Sequence, residues 1–393
     1  MAIESQSSQQ NVDATVTEET IERLRALMAE EPDEWRPAKR QWHYEATRDT
    51  IRHWAWGIGD DNPLWCDDAY GRTTKYGTNL APPTFLYSAA SGPAHENSTG
   101  ARDGGRGGPL AGIHAVWVGE RWRWDKRIVR GSETRASEKR TVDVLAREGR
   151  FGGLVAEIVT ETRFFDGDGD LLGAQQNVFW HHGRKTAASK GKYSDLRRHV
   201  WSEAELAALV DAVDAEVVRG AEDLRWDDVE VGEEIPAVVK GPLSVSEMIT
   251  FLQGWGGSYR AASEITHKYM RKHPKANVPD PDAHFPDFPG RAHVDPVFAR
   301  ACGFPDAYDI GAQRASWLAH AVTNWMGDNG FLKTLHVNLL RLNIIGDATW
   351  VRGTVTGKDV DQDGDRVVHL DLAAVNQRGE TTARAAATVV APG

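Results

Sequence analysis

The chain of 393 residues reads as two diverged copies of one unit, and this duplication limits its fold more than any other feature. In the first copy a helix-like run, HWAWGIGDDNPLW (53–65), leads to LAPPTFL (80–86). In the second, SEMITFLQGWGG (246–257) leads, after an insertion, to HVDPVFARACGFPDAYDIGAQ (293–313). Trp65 aligns with His293. Further on, IHAVWVGERWRWDKRIVRGS (113–132) matches LHVNLLRLNIIGDATWVRGTV (335–355), with Gly131 against Gly346. A longer loop in the first copy, GARDGGRGGPLAG (100–112), accounts for the change in spacing. Each copy gives a helix and then alternating strands, with hairpin turns expected at Gly167–Gly169 and Arg378–Gly379. One helix with a run of antiparallel strands is an α+β arrangement.

Four segments follow. Residues 1–16 read as a disordered polar tail. The first unit occupies 17–183 and opens with a helix from Glu18 to about Glu31. A linker and helix fill 184–222, the helix running from about Ser202 to Val218 with Leu206, Leu209, Val210 and Val213 on one side. The second unit is 223–393. Its insertion at 258–290 holds five prolines and shows no periodicity, which reads as an active-site flap or a partner contact.

Composition removes several function classes. The formal charge of −11 gives nucleic-acid binding no electrostatic footprint. No apolar run is long enough for a membrane helix. The acidic, polar start is not a secretory signal. Cys66 and Cys302 are too few for a disulfide framework or a cysteine zinc site, so a cytoplasmic protein with reduced thiols is expected. The His181–His182–Gly183 run lacks metal-ligand spacing, and no G-x-G-x-x-G follows a strand. Neither a metal nor a redox cofactor is expected. Trp117, Trp122 and Trp124 lie on one alternating strand and read as sheet-face packing.

At GDDNPLW and at H–D–FA–GFP the sequence resembles the MaoC-like hydratases and dehydratases, its first half their fatty-acid-synthase-type dehydratase domain. The resemblance runs from about Glu18 to Val390. It implies a double hot dog: two fused units, each a long helix wrapped by a curved antiparallel sheet. It also implies an acyl-CoA substrate, with CoA as part of the substrate and no further cofactor. Two double hot dogs as a homodimer, or a heteromer with a related subunit, are the implied assemblies. The implied reaction is hydration of a 2-enoyl-CoA or dehydration of a 3-hydroxyacyl-CoA. An imidazole of near-neutral pKa moves the proton. A backbone N–H holds the enolate oxygen.

The family motif G-D-x-N-P-(I/L)-H-x-D maps unevenly. The first copy keeps Gly59, Asp60, Asn62, Pro63 and Leu64, but Trp65 replaces the histidine, and Pro83, where the oxyanion glycine belongs, has no N–H. The second keeps His293 and Asp295, with Gly311 eighteen residues on, but Phe288 stands at the aspartate position beside Asp287. The resemblance therefore makes His293 the proton carrier and Gly311 the oxyanion donor. Asp60, Asp287 and Asp295 compete as its carboxylate partner. Asn62 fixes the backbone before Pro63. Arg314 either meets a CoA phosphate or substrate carboxylate or makes an internal ion pair. A degenerate acyl-CoA-binding subunit and a hot-dog thioesterase are the alternative readings.

Overall fold

The computed structural model describes residues 15–90, 108–110, 113–149, 153–183, 196–258, 261–273 and 277–392. Most of the loop at 100–112 and of the segment at 183–200 lies outside them, as do residues 1–14. Val16, placed in the tail by sequence, is buried against Ile21 and Leu24.

The first unit opens with α1 (Glu18–Ala29), started by a Thr17–Thr20 capping box, and α2 (Arg48–Gly57), started by Thr47–Thr50. Its strands are β1 (His114–Trp124), β2 (Arg135–Ala136), β3 (Arg140–Glu148), β4 (Leu154–Phe165) and β5 (Leu171–His182). Helix α3 (Glu203–Asp214) connects the units. It stops short of Val218, and of its expected apolar side only Leu209 is buried; Leu206, Val210 and Val213 face solvent. Trp201 beside it donates from Nε1 to the Gly346 carbonyl at 2.8 Å, which ties the connection to the second unit.

The second unit contains β6 (Glu234–Lys240), α4 (Val245–Trp255), α5 (Ser263–Lys272), the two-residue pair β7 (Val278–Pro279) and β8 (Pro286–Asp287), and α6 (Gly311–Met326). Strands β9 (Phe331–Leu339), β10 (Thr349–Val360), β11 (Arg366–Asn376) and β12 (Thr381–Val390) complete it. The insertion, expected to lack periodic structure, carries α5.

All strands but the β7–β8 pair join one antiparallel sheet in the order β2-β4-β5-β1-β9-β12-β11-β10-β6, with β3 also on β4. Both expected hairpins form, β4–β5 and β11–β12. The units meet at β1 and β9, where Gly119–Arg123 pair with Thr334–Asn338. A Cβ on Gly119 would lie 2.3 Å from the Val337 carbonyl oxygen, so this seam needs glycine. Gly131 and Gly346 share a left-handed turn, φ 89° and 90°.

The concave side holds the helices. Every residue of α6 from Ala312 to Met326 is buried, and one continuous apolar core reaches from Trp54 and Trp122 in the first unit to Leu370 and Val389 in the second. The first unit has no equally long counterpart among the described residues: Pro83–Phe85 form one tight turn and Leu86–Ala89 one helical turn. Pro83 and Gly311 nevertheless open the same element in each copy. Trp122 and Trp124 stack at 5.3 Å in the core, as sheet-face packing requires. A bulge between Trp117 and Gly119 brings Trp117 onto the same face, which strict alternation from Trp122 would deny it.

Candidate active site

His293 lies at the end of a tight turn, Pro289–His293, just ahead of the short helix Pro296–Ala301. Its Nδ1 is 3.0 Å from the Tyr308 carbonyl oxygen, and its ring packs 4.4 Å from the Tyr308 ring. A carbonyl can only accept, so Nδ1 carries the hydrogen and Nε2 the lone pair. Burial lowers the imidazole pKa, opposed by the Tyr308 carbonyl and the charge of Asp309.

Three residues beyond Tyr308, Gly311 opens α6. Ile310 at its N-cap offers no side-chain acceptor, so the first-turn N–H groups have no side-chain partner. A Cβ at Gly311 would fall 2.3 Å from the Trp117 ring and 2.9 Å from the Leu339 side chain. The first unit thus lends a tryptophan to the helix terminus of the second.

The three candidate carboxylates are engaged elsewhere. Asp295 caps the Pro296–Ala301 helix by accepting from Val297 and Phe298 N–H at 2.9 and 3.1 Å. Its other oxygen is 2.7 Å from Arg291. Partial burial raises its pKa, but these N–H groups and Arg291 outweigh that and hold it below the ordinary value. Asp287 accepts from its neighbour Phe288 N–H and lies 3.2 Å from the same Arg291. Asp60 belongs to a different cluster, described below. The acid whose charge acts on His293 is Asp309, two residues before Gly311. It is buried and bound to Arg314, whose Nε donates at 2.6 Å. Arg314 spends its other donors on the Arg341 and Thr382 carbonyls. Of the two roles open to it from sequence, the internal ion pair is the one found.

What remains of the motif in the first copy is closed. Asn62 accepts from Leu64 N–H at 2.9 Å and donates its own N–H to Asp60 Oδ1 at 3.0 Å, so it fixes the backbone around Pro63. Trp65 Nε1 donates to Asp60 Oδ2 at 3.0 Å. Beside Trp65 the cavity shrinks to about 30 Å³, walled by Ala81, Pro83, Trp124, Met326 and Phe331. That is room for a water or two and not for an acyl group.

Sequence reasoning missed the neighbour of Asp60. His320 on α6 places Nε2 3.4 Å from Asp60 and 2.9 Å from Glu216, all three side chains largely or wholly buried. Lys240 reaches in from β6 and donates to the Gly59 carbonyl at 2.5 Å. Burial lowers the Lys240 pKa, opposed by the charges of Glu216 and Asp60. The detectable signal was His320 and Asn324, polar residues one turn apart in an otherwise apolar stretch of helix.

Among the described residues no helix is long and apolar enough to cross a membrane. One acidic triplet, Asp361, Asp363 and Asp365, is close enough to hold a cation, but Lys333 already sits among its oxygens.

Comparison with known proteins agrees with this architecture. Residues 37–174 match the family model of the FAS1-like dehydratase domain region. A UPF0336 protein of Streptomyces avermitilis is 38% identical over 45 residues, a stretch that covers 12% of this chain and 30% of that protein. A MaoC-like dehydratase superposes with a TM-score of 0.60 at 18% identity, over 90% of this chain and 99% of its own. A MaoC domain protein from Chloroflexus aurantiacus gives 0.54 at 11% identity, over 98% and 99%. A Mycobacterium tuberculosis protein described as having a double hot-dog fold gives 0.51 at 11% identity, over 91% and 97%. Residues 37–174 are thus similar to the FAS1-like dehydratase domain region, and the chain as a whole has a double hot-dog fold, shared with solved structures described as MaoC-like dehydratases.

Proposed function

We propose that this chain adds water to a 2-enoyl-CoA, or removes it from a 3-hydroxyacyl-CoA, at a single site in its second unit. One observation carries the reading: His293 is fixed through Nδ1 at the segment leading into the uncapped N-terminus of α6. In hydration Nε2 takes a proton from water as the oxygen bonds to C3. The thioester oxygen gains charge as the enolate forms, and the Gly311 N–H with the positive end of α6 stabilises it. In dehydration the imidazolium returns the proton to the leaving hydroxyl. Asp309, held by Arg314, favours the imidazolium electrostatically and has no need to accept the proton itself. Trp117 shapes the acyl entrance from the first unit. The protein works in the cytoplasm, as a homodimer or with a related subunit, and needs no cofactor besides the CoA of its substrate.

The test is hydration of crotonyl-CoA and of a bulkier enoyl-CoA by His293→Ala. General acid–base catalysis is worth about 10²–10⁴-fold, so kcat/KM falls by at least ~10²-fold while the unfolding midpoint shifts little. Unchanged hydration removes the assignment. A second reading has its own support in the closed first copy, where Trp65 and Pro83 leave no room for substrate: a chain that binds acyl-CoA and turns it over only with a partner subunit. Activity that appears only on mixing with a second protein favours it. Release of free thiol instead of hydrated thioester assigns a thioesterase.

A further inference from the structure

A trough of about 2170 Å³ runs along the β1–β9 seam, on the face of the sheet that carries Arg121 and Arg384. Seven arginines, three histidines and three glutamates line it, with no aspartate or lysine. A net positive cleft in a chain of charge −11 requires a cause. Four of the arginines are matched to acids: Arg147 to Glu157, Arg198 to Asp306, Arg341 to Glu380 and Arg378 to Asp347.

The centre of the trough is different. Arg121 on β1 stands directly opposite His336 on β9, and Arg384 on β12 directly opposite Asn338, two residues along β9. All four side chains are exposed on the same face. None has a side-chain hydrogen bond or ion pair among the described residues. Glu157, the acid whose field reaches Arg121, is already bound to Arg147 and to Trp180 Nε1. Like charges directly across two strands destabilise a sheet. Arg121 lowers the His336 pKa, second to burial.

Geometry allows these groups to share one anion. With strands ~4.8 Å apart and a rise of ~3.4 Å per residue, Arg121 and Arg384 stand roughly 12 Å apart at the backbone. Two guanidinium groups extended toward each other meet over His336 and Asn338. Arginine forks match phosphate oxygens two at a time. A second copy of the chain stacked on this face would set arginine against arginine, so self-association does not supply the missing charge.

We propose that Arg121, His336, Asn338 and Arg384 form a binding site for the phosphoryl group of an organic phosphate of nucleotide size. CoA is one source of that group, and in that case the inference deepens the proposed reaction by giving the CoA phosphates a place. Leu339 links the two regions, since it lines the trough while its side chain lies against Gly311. Free phosphates are the other source.

The experiment measures binding without turnover, so its failure leaves the hydration reading untouched. CoA, adenosine 3′,5′-bisphosphate and inorganic pyrophosphate are titrated calorimetrically into the full chain and into Arg121→Gln/Arg384→Gln. The His336 ring signal, assigned with His336→Gln, is followed by proton NMR. We expect CoA and the bisphosphate to bind, to move the His336 signal, and to lose at least tenfold in affinity in the double variant, whose circular dichroism is unchanged. Pyrophosphate binding as tightly as CoA keeps the site and makes free phosphate the ligand. No binding by any probe at millimolar concentration, equal affinity in the double variant, or a stationary His336 signal overturns the proposal.

Discussion

The indole N–H of Trp65 donates to Asp60 Oδ2 at 3.0 Å inside the core. An indole cannot titrate, and the carboxylate it serves is part of the joint between the units. Trp65→Phe deletes that donor and leaves a buried carboxylate oxygen short of one bond. An unsatisfied buried group costs about 1–3 kcal/mol. Urea unfolding should show that loss with no change in enoyl-CoA hydration; a loss of hydration at unchanged stability moves the reacting centre to the first unit.

The units also meet where α2 crosses α4. A Cβ on Gly254 would lie 2.4 Å from the His53 carbonyl oxygen and 3.2 Å from Gly57 Cα. Both contacts are backbone, so neither side yields cheaply. Gly254→Ala should destabilise by about 1–3 kcal/mol, the usual range for overpacking. A thermal midpoint equal to wild type would show that the helices are free to separate.

Glu120 on β1 sits in an aromatic cage, bonded to Tyr87 and to Gln175 Nε2 at 2.7 Å. Burial raises its pKa to about 7, despite the hydrogen bonds from Tyr87 and Gln175 that favour the anion. The folded state therefore holds a proton that the unfolded chain, titrating near pH ~4.3, releases earlier. Stability from this group is complete below the unfolded pKa and lost as pH rises through about 7. At roughly 1.4 kcal/mol per pH unit, Glu120→Gln should gain on wild type by about 3 kcal/mol between pH 4.5 and 8. Parallel pH profiles of the two denaturation midpoints would place the proton elsewhere.

His293 has the opposite sign. Burial keeps its pKa below 6.5, so the neutral base persists into mild acid. The acid limb of kcat/KM for hydration should bend below pH 6.5 and vanish from the residual rate of His293→Ala. For stability, the unfolded chain protonates first, so this residue weakens the fold as pH falls through the unfolded value near ~6.5. A limb that bends above pH 6.5 contradicts the burial of this ring.

The joint cluster can be tested through its cation. Lys240 is the lysine that offsets Asp60 and Glu216. Removing one member of a buried charge set costs about 3–5 kcal/mol. Lys240→Met should fall in that range by chemical denaturation, and a change under 1 kcal/mol would mean that the burial of Asp60 and Glu216 does not depend on Lys240.

Local chemistry determined much of this protein. The paired turns at Gly131 and Gly346, the hairpins, the start of α1 near Glu18 and the Asn62–Pro63 turn all follow from turn residues, caps and alternation within a few positions. So did the failed motif in the first unit, because tryptophan and proline lack the needed groups in any fold. Tertiary structure alone decided which groups meet. His320 lies 260 residues from Asp60 and reaches it only because α6 of one unit packs beneath the motif of the other. Asp287 and Asp295 look free in sequence, yet both turn to Arg291, while Asp309 acts on His293 from the far side of Tyr308. The bulge at Trp117–Gly119 sends one tryptophan across the seam to Gly311, and the same seam gathers Arg121, His336 and Arg384 on its outer face. Such encounters depend on strand register and helix packing summed over the whole core, and no short stretch of sequence contains them.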